Sequence, residues 1–280
     1  MKILVTGANG YVGMGVTEEL LKLGHEVIAA DFKTDRVNPK ARRMDCNLFE
    51  IENPFEYFDK PDCVVHIAWK DVCNHKGLSH IADLPSHYSF LTKLIDGGLK
   101  QLCVLGTMHE IGFYEGSIKE TTPCNPQNMY GICKNALRQL IQSYIGNGSC
   151  IFQWIRGYYT VNNALAGGNI FAKISQAAAE GKTTFPFTMG TNQYDFLDYT
   201  DFCKQVAAVA SQTEVVGIIN CCSGFPMTLK ERVEKFIKEN KFNIKLEYGA
   251  FPDRPYDSKA VWGDNTKIIQ ILNKQNKGIK

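Results

Sequence analysis

Short apolar runs punctuate the first half of the chain: Lys2–Thr6, Glu26–Ala30, Cys63–Ile67, Leu102–Leu105 and Cys150–Ile155. They are rich in β-branched residues, apolar on both faces and bounded by Gly, Pro or Asp, a pattern that predicts buried parallel strands. Between them, apolar positions recur at helical spacing in Tyr11–Leu23, Leu91–Gly97 and Met129–Tyr144. Strand and helix therefore alternate, which predicts an α/β fold of the doubly wound, Rossmann type, with a parallel sheet and right-handed connections. After about residue 156 the alternation weakens. Gly167-Gly168, the turn-rich stretch Gly181–Gln193 and Gly224-Phe225-Pro226 precede one further predicted helix, Leu229–Asn240. The division this predicts is a first body over 1–156, with a returning segment at about 195–221. A smaller, discontinuous lobe is then built from 157–194 and 222–280. No internal repeat, low-complexity segment or long linker separates the two.

Composition narrows the classes of partner. Among 280 residues, 31 Lys and Arg nearly balance 29 Asp and Glu, and no block of like charge stands out that would neutralise a phosphate backbone. Nucleic acid is not an expected partner. The chain enters its first strand with no basic segment ahead of it, and no apolar run approaches about 18 residues. A cytoplasmic protein without a membrane span is expected. The ten cysteines are scattered without a CxxC pair. They read as reduced, mostly buried small hydrophobes, with neither a disulfide framework nor a metal site.

Candidate chemistry begins at Gly7-Ala8-Asn9-Gly10-Tyr11-Val12-Gly13, which leaves the first strand and opens the first predicted helix. In such a loop Gly7 permits a tight turn, Gly10 lets backbone approach a pyrophosphate, and Gly13 lets the helix pack against the strand. The phosphates then lie on a helix N-terminus. Asp31, eighteen residues after Gly13 at the end of the second strand, fits a ribose hydroxyl and would repel a 2′-phosphate, favouring NAD(H). Lys33 and Arg36 follow closely and keep NADP(H) open.

Tyr130 and Lys134 are four apart in a predicted helix, so both lie on one face. An ammonium so placed lowers the proton affinity of a phenol, which in isolation titrates near 10. A chance structural pair is the alternative reading.

Four segments together resemble the extended short-chain dehydrogenase/reductase family: Thr6–Gly13, Pro61–Ala68, Leu105-Gly-Thr107 and Tyr130-Gly-Ile-Cys-Lys134. Within it the chain looks like the nucleotide-sugar epimerases, dehydratases and reductases. Tyr194–Asp201 and Asp264–Lys267 extend the likeness over nearly the whole chain. The resemblance implies Thr107 as the residue hydrogen-bonding the substrate oxygen, Tyr130 as proton donor or acceptor, and Lys134 as a further contact to the nicotinamide ribose. It also implies cofactor contacts at Gly7, Gly10, Tyr11, Val12 and Gly13, at Asp31, at Asp45 and Cys46 beside adenine, and at Ala68. Arg254 resembles a late arginine that clamps a diphosphate, for which a guanidinium fork is suited. A solvated surface arginine is the other reading of Arg254.

The reaction is narrowed by Thr107-Met108-His109-Glu110. Similar dehydratases carry Asp-Glu after the threonine, whereas methionine cannot act as an acid and Glu110 is one position out of register. His109 sits where similar epimerase-reductases keep a cysteine. An imidazole with a pKa near 6.5 can transfer protons at neutral pH, and a hydrogen-bonded wall residue is the alternative. His66 reads as a core histidine. Tyr194 and the Arg156-Gly-Tyr-Tyr159 segment depart from the family's usual phosphate and substrate contacts. The expected activity is NAD(P)H-dependent reduction of a nucleotide-linked 4-keto-6-deoxyhexose. The rivals are a 4-epimerase holding NAD tightly and a dinucleotide-sensing regulator without catalysis. A homodimer is expected through the helix carrying Tyr130, with Ala136, Leu137, Leu140, Ile141 and Tyr144 as its face, a pattern that packing on the chain's own core also explains.

Overall fold

A computed structural model describes residues 1–148, 150–161, 169–252 and 257–278. The first half runs β1 (Lys2–Thr6), α1 (Tyr11–Lys22), β2 (Glu26–Asp31), β3 (Arg42–Asp45), α2 (Pro54–Tyr57), β4 (Cys63–His66), α3 (Ser79–Ala82), α4 (Leu84–Asp96), β5 (Gln101–Thr107), β6 (Gly116–Ile118), α5 (Met129–Ile145) and β7 (Ile151–Gly157). The second runs β8 (Tyr159–Val161), α6 (Ile170–Ala179), β9 (Thr184–Pro186), β10 (Gln193–Asp198), α7 (Tyr199–Ala210), β11 (Gly217–Cys221), β12 (Pro226–Thr228), α8 (Leu229–Glu239), β13 (Lys245–Glu247), β14 (Ala260–Gly263) and α9 (Thr266–Gly278).

Seven parallel strands, ordered β11-β7-β5-β4-β1-β2-β3, form the main sheet. Successive side chains of β1 go to opposite faces and both are covered. Ile3 and Val5 pack with Val16 and Leu20 of α1 and Val206 of α7. Leu4 packs with Phe90 and Leu94 of α4 and Leu137 of α5. This two-sided burial is why the strands read as continuous apolar runs. The strand order reverses between β1 and β4, and a crevice outside their carboxyl ends is where such sheets take ligands.

The smaller sheet is ordered β12-β10-β14-β6, with β8 also on β10, and sits with an apolar cluster of Phe171, Ile174, Phe187, Val233 and Phe236. Its edges do not follow the division expected from the sequence. β6, inside 1–156, pairs with β14, and β10 also belongs to this sheet. From the 222–280 stretch, α9 instead places Ile268 and Ile271 in the main core. Pairing of three-residue strands decides membership there, and apolar patterning does not report it.

Four other differences have physical causes. β3 was not visible as a strand because its residues are mostly charged and exposed. α4 begins at Leu84, seven residues before the predicted start, with a proline in its first turn. On α5, Leu137 and Ile141 are buried in the chain's own core, leaving Leu140 and Tyr144 exposed from the predicted dimer face. All ten cysteines are free thiols, and of these Cys73 is exposed. Among the described residues, no helix is long and apolar enough to cross a membrane, and no group of three or more His, Cys, Asp or Glu side chains is placed to hold a metal ion.

Candidate active site

At the reversal point the chain leaves β1 through Gly7, whose φ of +68° lies in the left-handed region. A Cβ there would come within 2.7 Å of the Ala68 backbone, so the second residue after β4 lies directly against the loop. A Cβ on Gly13 would meet the Gly7 carbonyl at 2.1 Å. Gly13 is therefore required by the loop's own backbone at the strand–helix junction rather than by the strand. Gly10 caps α1 with no side chain, so the first-turn N–H groups, at Tyr11, Val12 and Gly13, remain available to an anion. Tyr11 stacks on Tyr199 at 4.1 Å and its carbonyl accepts the Tyr199 hydroxyl at 2.6 Å.

The Asp31 carboxylate accepts the N–H groups of Asn9 (3.0 Å) and Phe32 (2.8 Å), which fixes it beside the glycine loop. Arg36 lies on the same loop: its guanidinium donates to the Asn9 carbonyl at 2.6 Å. Asp45 accepts the Thr34 hydroxyl at 2.6 Å, and the Cys46 N–H donates to the Asp31 carbonyl at 2.8 Å. The Asp31 and Asp45 strand ends thus lie side by side. A glycine cradle, an uncapped helix start and an acid at the next strand end are the features a dinucleotide requires, so the residues fit that group.

Across the reversal point, β5 ends at Thr107. The Thr107 hydroxyl accepts the His109 N–H at 3.3 Å, while Glu110 reaches back to the Thr107 N–H at 2.7 Å, forming a capping box. Glu110 is fully buried, takes the Trp154 indole N–H at 2.9 Å and lies 3.6 Å from the Arg156 guanidinium. It holds Thr107 from behind and is not turned toward a substrate. Met108 packs in an apolar cluster with Ile111 and Ile118.

Tyr130 lies in the first turn of α5, and a Cβ on Gly131 would lie 2.4 Å from the His109 carbonyl, so a glycine there lets α5 approach the Thr107 turn. The Thr107 side chain is thereby brought near enough to the Tyr130 phenol to oppose, in part, the effect of burial on its proton affinity. Lys134, one turn on, is almost fully buried, donates to the Leu105 carbonyl at 2.7 Å and lies 4.0 Å over the Trp69 ring. Burial brings its pKa down to about 7. The phenol behaves differently from expectation: burial outweighs the Thr107 contact and holds Tyr130 above its ordinary value. His109 is largely enclosed as well. Burial, with His75 adding to it, lowers its pKa to about 4, which favours the neutral imidazole near pH 7 and supports the wall reading of the two.

Sequence reasoning missed the rings around Tyr130. His75 stacks on it at 5.4 Å and 15°, His80 lies at 5.3 Å and Trp69 at 6.5 Å. His75 also meets His109 edge-on at 4.4 Å. A histidine-rich loop directly after β4 was the available signal. His66 is buried as expected, 2.8 Å from the Thr6 hydroxyl and 2.9 Å from His87. Arg254 lies outside the described residues. In the smaller sheet, Asp195 accepts N–H groups from Ser223, Gly224 and Gly263, so the Tyr194-Asp195-Phe196 segment is a structural knot.

A Rossmann-type sheet whose reversal point faces a Thr/Tyr/Lys cluster defines an enzyme of the extended short-chain dehydrogenase/reductase class. Residues 3–222 match the NAD dependent epimerase/dehydratase family, and the chain belongs to it. It is 40% identical over 271 residues, 94% of this chain and 99% of the other, to dTDP-6-deoxy-L-talose 4-dehydrogenase (NAD(+)) of Aggregatibacter actinomycetemcomitans. Two solved structures share the fold. One is a UDP-N-acetylglucosamine 4-epimerase from Methanobrevibacter ruminantium M1, with TM-score 0.83, 17% identity and coverage of 96% of this chain and 91% of that one. The other is a UDP-glucuronic acid 4-epimerase from Bacillus cereus in complex with UDP-glucuronic acid and NAD, with TM-score 0.80, 19% identity and coverage of 98% and 93%.

Proposed function

We propose that the protein interconverts the C4 hydroxyl and C4 ketone of a nucleotide-activated 6-deoxyhexose with NAD(H), acting as a reductase of the 4-keto sugar. The observation that carries this reading is the convergence of Thr107, Tyr130 and Lys134 at the end of β5, in the same parallel sheet whose β1 opens into the glycine loop. The 40% identical relative is named for dehydrogenation at C4 of a 6-deoxy sugar nucleotide, the reverse direction of the same reaction.

In this reading Gly7, Gly10, Tyr11, Val12 and Gly13 hold the pyrophosphate, Asp31 the adenosine ribose, Asp45 and Cys46 the adenine, and Ala68 and Lys134 the nicotinamide end. Bound NAD(H) supplies the hydride donor or acceptor. Tyr130 gives its proton to the carbonyl oxygen in reduction and takes up the hydroxyl proton in oxidation. Thr107 orients that oxygen through its hydroxyl, held in place by Glu110. Lys134, partly charged near pH 7, steadies the phenolate form; its present partner, the Leu105 carbonyl, leaves donors free for a ribose. His109 serves as a neutral wall. Asp31 favours NAD(H) over NADP(H), since a 2′-phosphate would face its carboxylate. The smaller lobe binds the nucleotide sugar, with Arg254 as its diphosphate contact. Exposed Ile132, Leu140 and Tyr144 on α5 offer a face for a second copy of the chain. Dehydration is disfavoured because Met108 is buried and Glu110 is committed to Thr107.

The test follows NADH and NADPH oxidation by absorbance with nucleotide-linked 4-keto-6-deoxyhexoses, and NAD+ reduction with the matching 6-deoxyhexoses. Stoichiometric turnover supports the reading. Interconversion of UDP-glucose and UDP-galactose without net coenzyme consumption, by protein that copurifies with NAD, replaces it with a 4-epimerase.

A further inference from the structure

The segment from the end of β4 through α3 covers the proposed catalytic tyrosine. Trp69 and His80 are fastened to it: the Trp69 indole N–H donates to His80 Nδ1 at 2.9 Å, and His80 Nε2 lies 2.9 Å from the Asn74 carbonyl. His80 Nδ1 is thus the acceptor and Nε2 carries the hydrogen, which uses both nitrogens. His75, next after Asn74, has no such tie among the described residues, yet it makes two contacts to one residue. Its ring stacks on Tyr130 at 5.4 Å, and its carbonyl accepts the Tyr130 N–H at 3.3 Å.

The second contact is informative because Tyr130 is in the first turn of α5, where backbone N–H groups have no partner within the helix. Asn128 satisfies Gly131 from within the local sequence. Tyr130 is satisfied from a loop 55 residues earlier, by the same residue whose ring covers its side chain. Backbone and phenol are therefore held from one point.

We propose that His75 is a positioning residue for the reaction, whose stacked ring and backbone carbonyl together hold the Tyr130 phenol against Thr107. The proposal rests on the reading of Tyr130 as the proton-transfer group. His75 acts through shape and coverage: its ring lies nearly parallel to the phenol ring, and among the described residues no hydrogen bond joins the two side chains. Burial, which the ring contributes to, already keeps the phenol protonated beyond its ordinary range. The titratable groups around the phenol are Cys73, His75 and His80 on the covering segment, His109 and Glu110 on the turn after β5, and Lys134 one turn along α5.

The test begins with the free protein. Ultraviolet titration of phenolate, taken as the difference between the parent and Tyr130→Phe, isolates Tyr130 without substrate or coenzyme. A failure of the proposed reaction therefore leaves this arm intact. The parent phenol should titrate above about 10. His75→Ala, measured against His75→Ala/Tyr130→Phe, should move it down toward that value and lower kcat about tenfold with the coenzyme KM unchanged. His75→Phe should restore both quantities. His75→Leu, which keeps bulk without a flat ring, serves if the alanine variant does not fold and should resemble it. Wild-type titration and turnover in His75→Ala would overturn the proposal. So would a His75→Phe variant as impaired as alanine, because the effect would then belong to the imidazole nitrogens.

Discussion

The two halves of the cleft are made of different material. The cradle at Gly7–Gly13 is backbone: its shape depends on side chains being absent, and Asp31 and Arg36 are charged groups pinned to it through Asn9. The proposed catalytic half is side chain: a phenol, a hydroxyl and an ammonium enclosed by Trp69, His75, His80 and His109 and backed by buried Glu110. One half is thus vulnerable to added atoms, the other to removed ones.

Removal at the centre should have the largest effect. Tyr130→Phe keeps the ring and its stack but deletes the proton, and should lower kcat about 10³-fold while coenzyme binding, followed by fluorescence, stays near the parent. Addition in the cradle comes next. Gly13→Val places carbon where the Gly7 carbonyl lies, so calorimetry should show NADH binding weakened at least about a hundredfold while the Thr107–Tyr130 half remains intact. If both substitutions damaged both halves equally, the contrast would dissolve.

Glu110→Ala probes the backing of the catalytic half. It leaves the buried Arg156 guanidinium, 3.6 Å away, without its carboxylate, and denaturant unfolding should show a loss of about 3 kcal/mol. Lys134 probes the cost of placing a cation there. Its pKa falls to about 7 in the fold from an unfolded value near 10.5, so the unfolded chain binds more protons between those values. Stability from this group is therefore lowest below about pH 7 and recovers as pH rises toward 10.5. Lys134→Met should abolish turnover yet raise stability at pH 6 by on the order of 2 kcal/mol, a gain that shrinks at pH 9. Asp31→Asn is the mildest change: it should raise the KM for NADH about tenfold and narrow the gap to NADPH.

The same contrast explains what the chain disclosed by its sequence. The cradle was legible because everything it needs lies within 31 residues, and the parallel strands because both their faces are buried. Thr107, Tyr130 and Lys134 were legible as a spacing within one helix and one strand end. Their enclosure was not. His75 and His80 meet Tyr130 only through the fold, and the Glu110 carboxylate reads as a misplaced acid until Trp154 and Arg156 are seen around it. The proton affinity of Tyr130 was read in the wrong direction for the same reason: spacing shows a nearby cation, whereas burial depends on rings from another segment. The smaller lobe was least legible, since β6, β8, β9, β12 and β13 are three residues each, too short for a period to show.

The most direct measurement of the central claim is coenzyme absorbance during incubation of the purified protein with a dTDP-linked 4-keto-6-deoxyhexose and NADH, with Tyr130→Phe alongside. The account predicts one NADH oxidised per sugar reduced, and loss of nearly all of that rate in the variant. Equal rates in the two proteins, or sugar conversion without NADH oxidation, would contradict it.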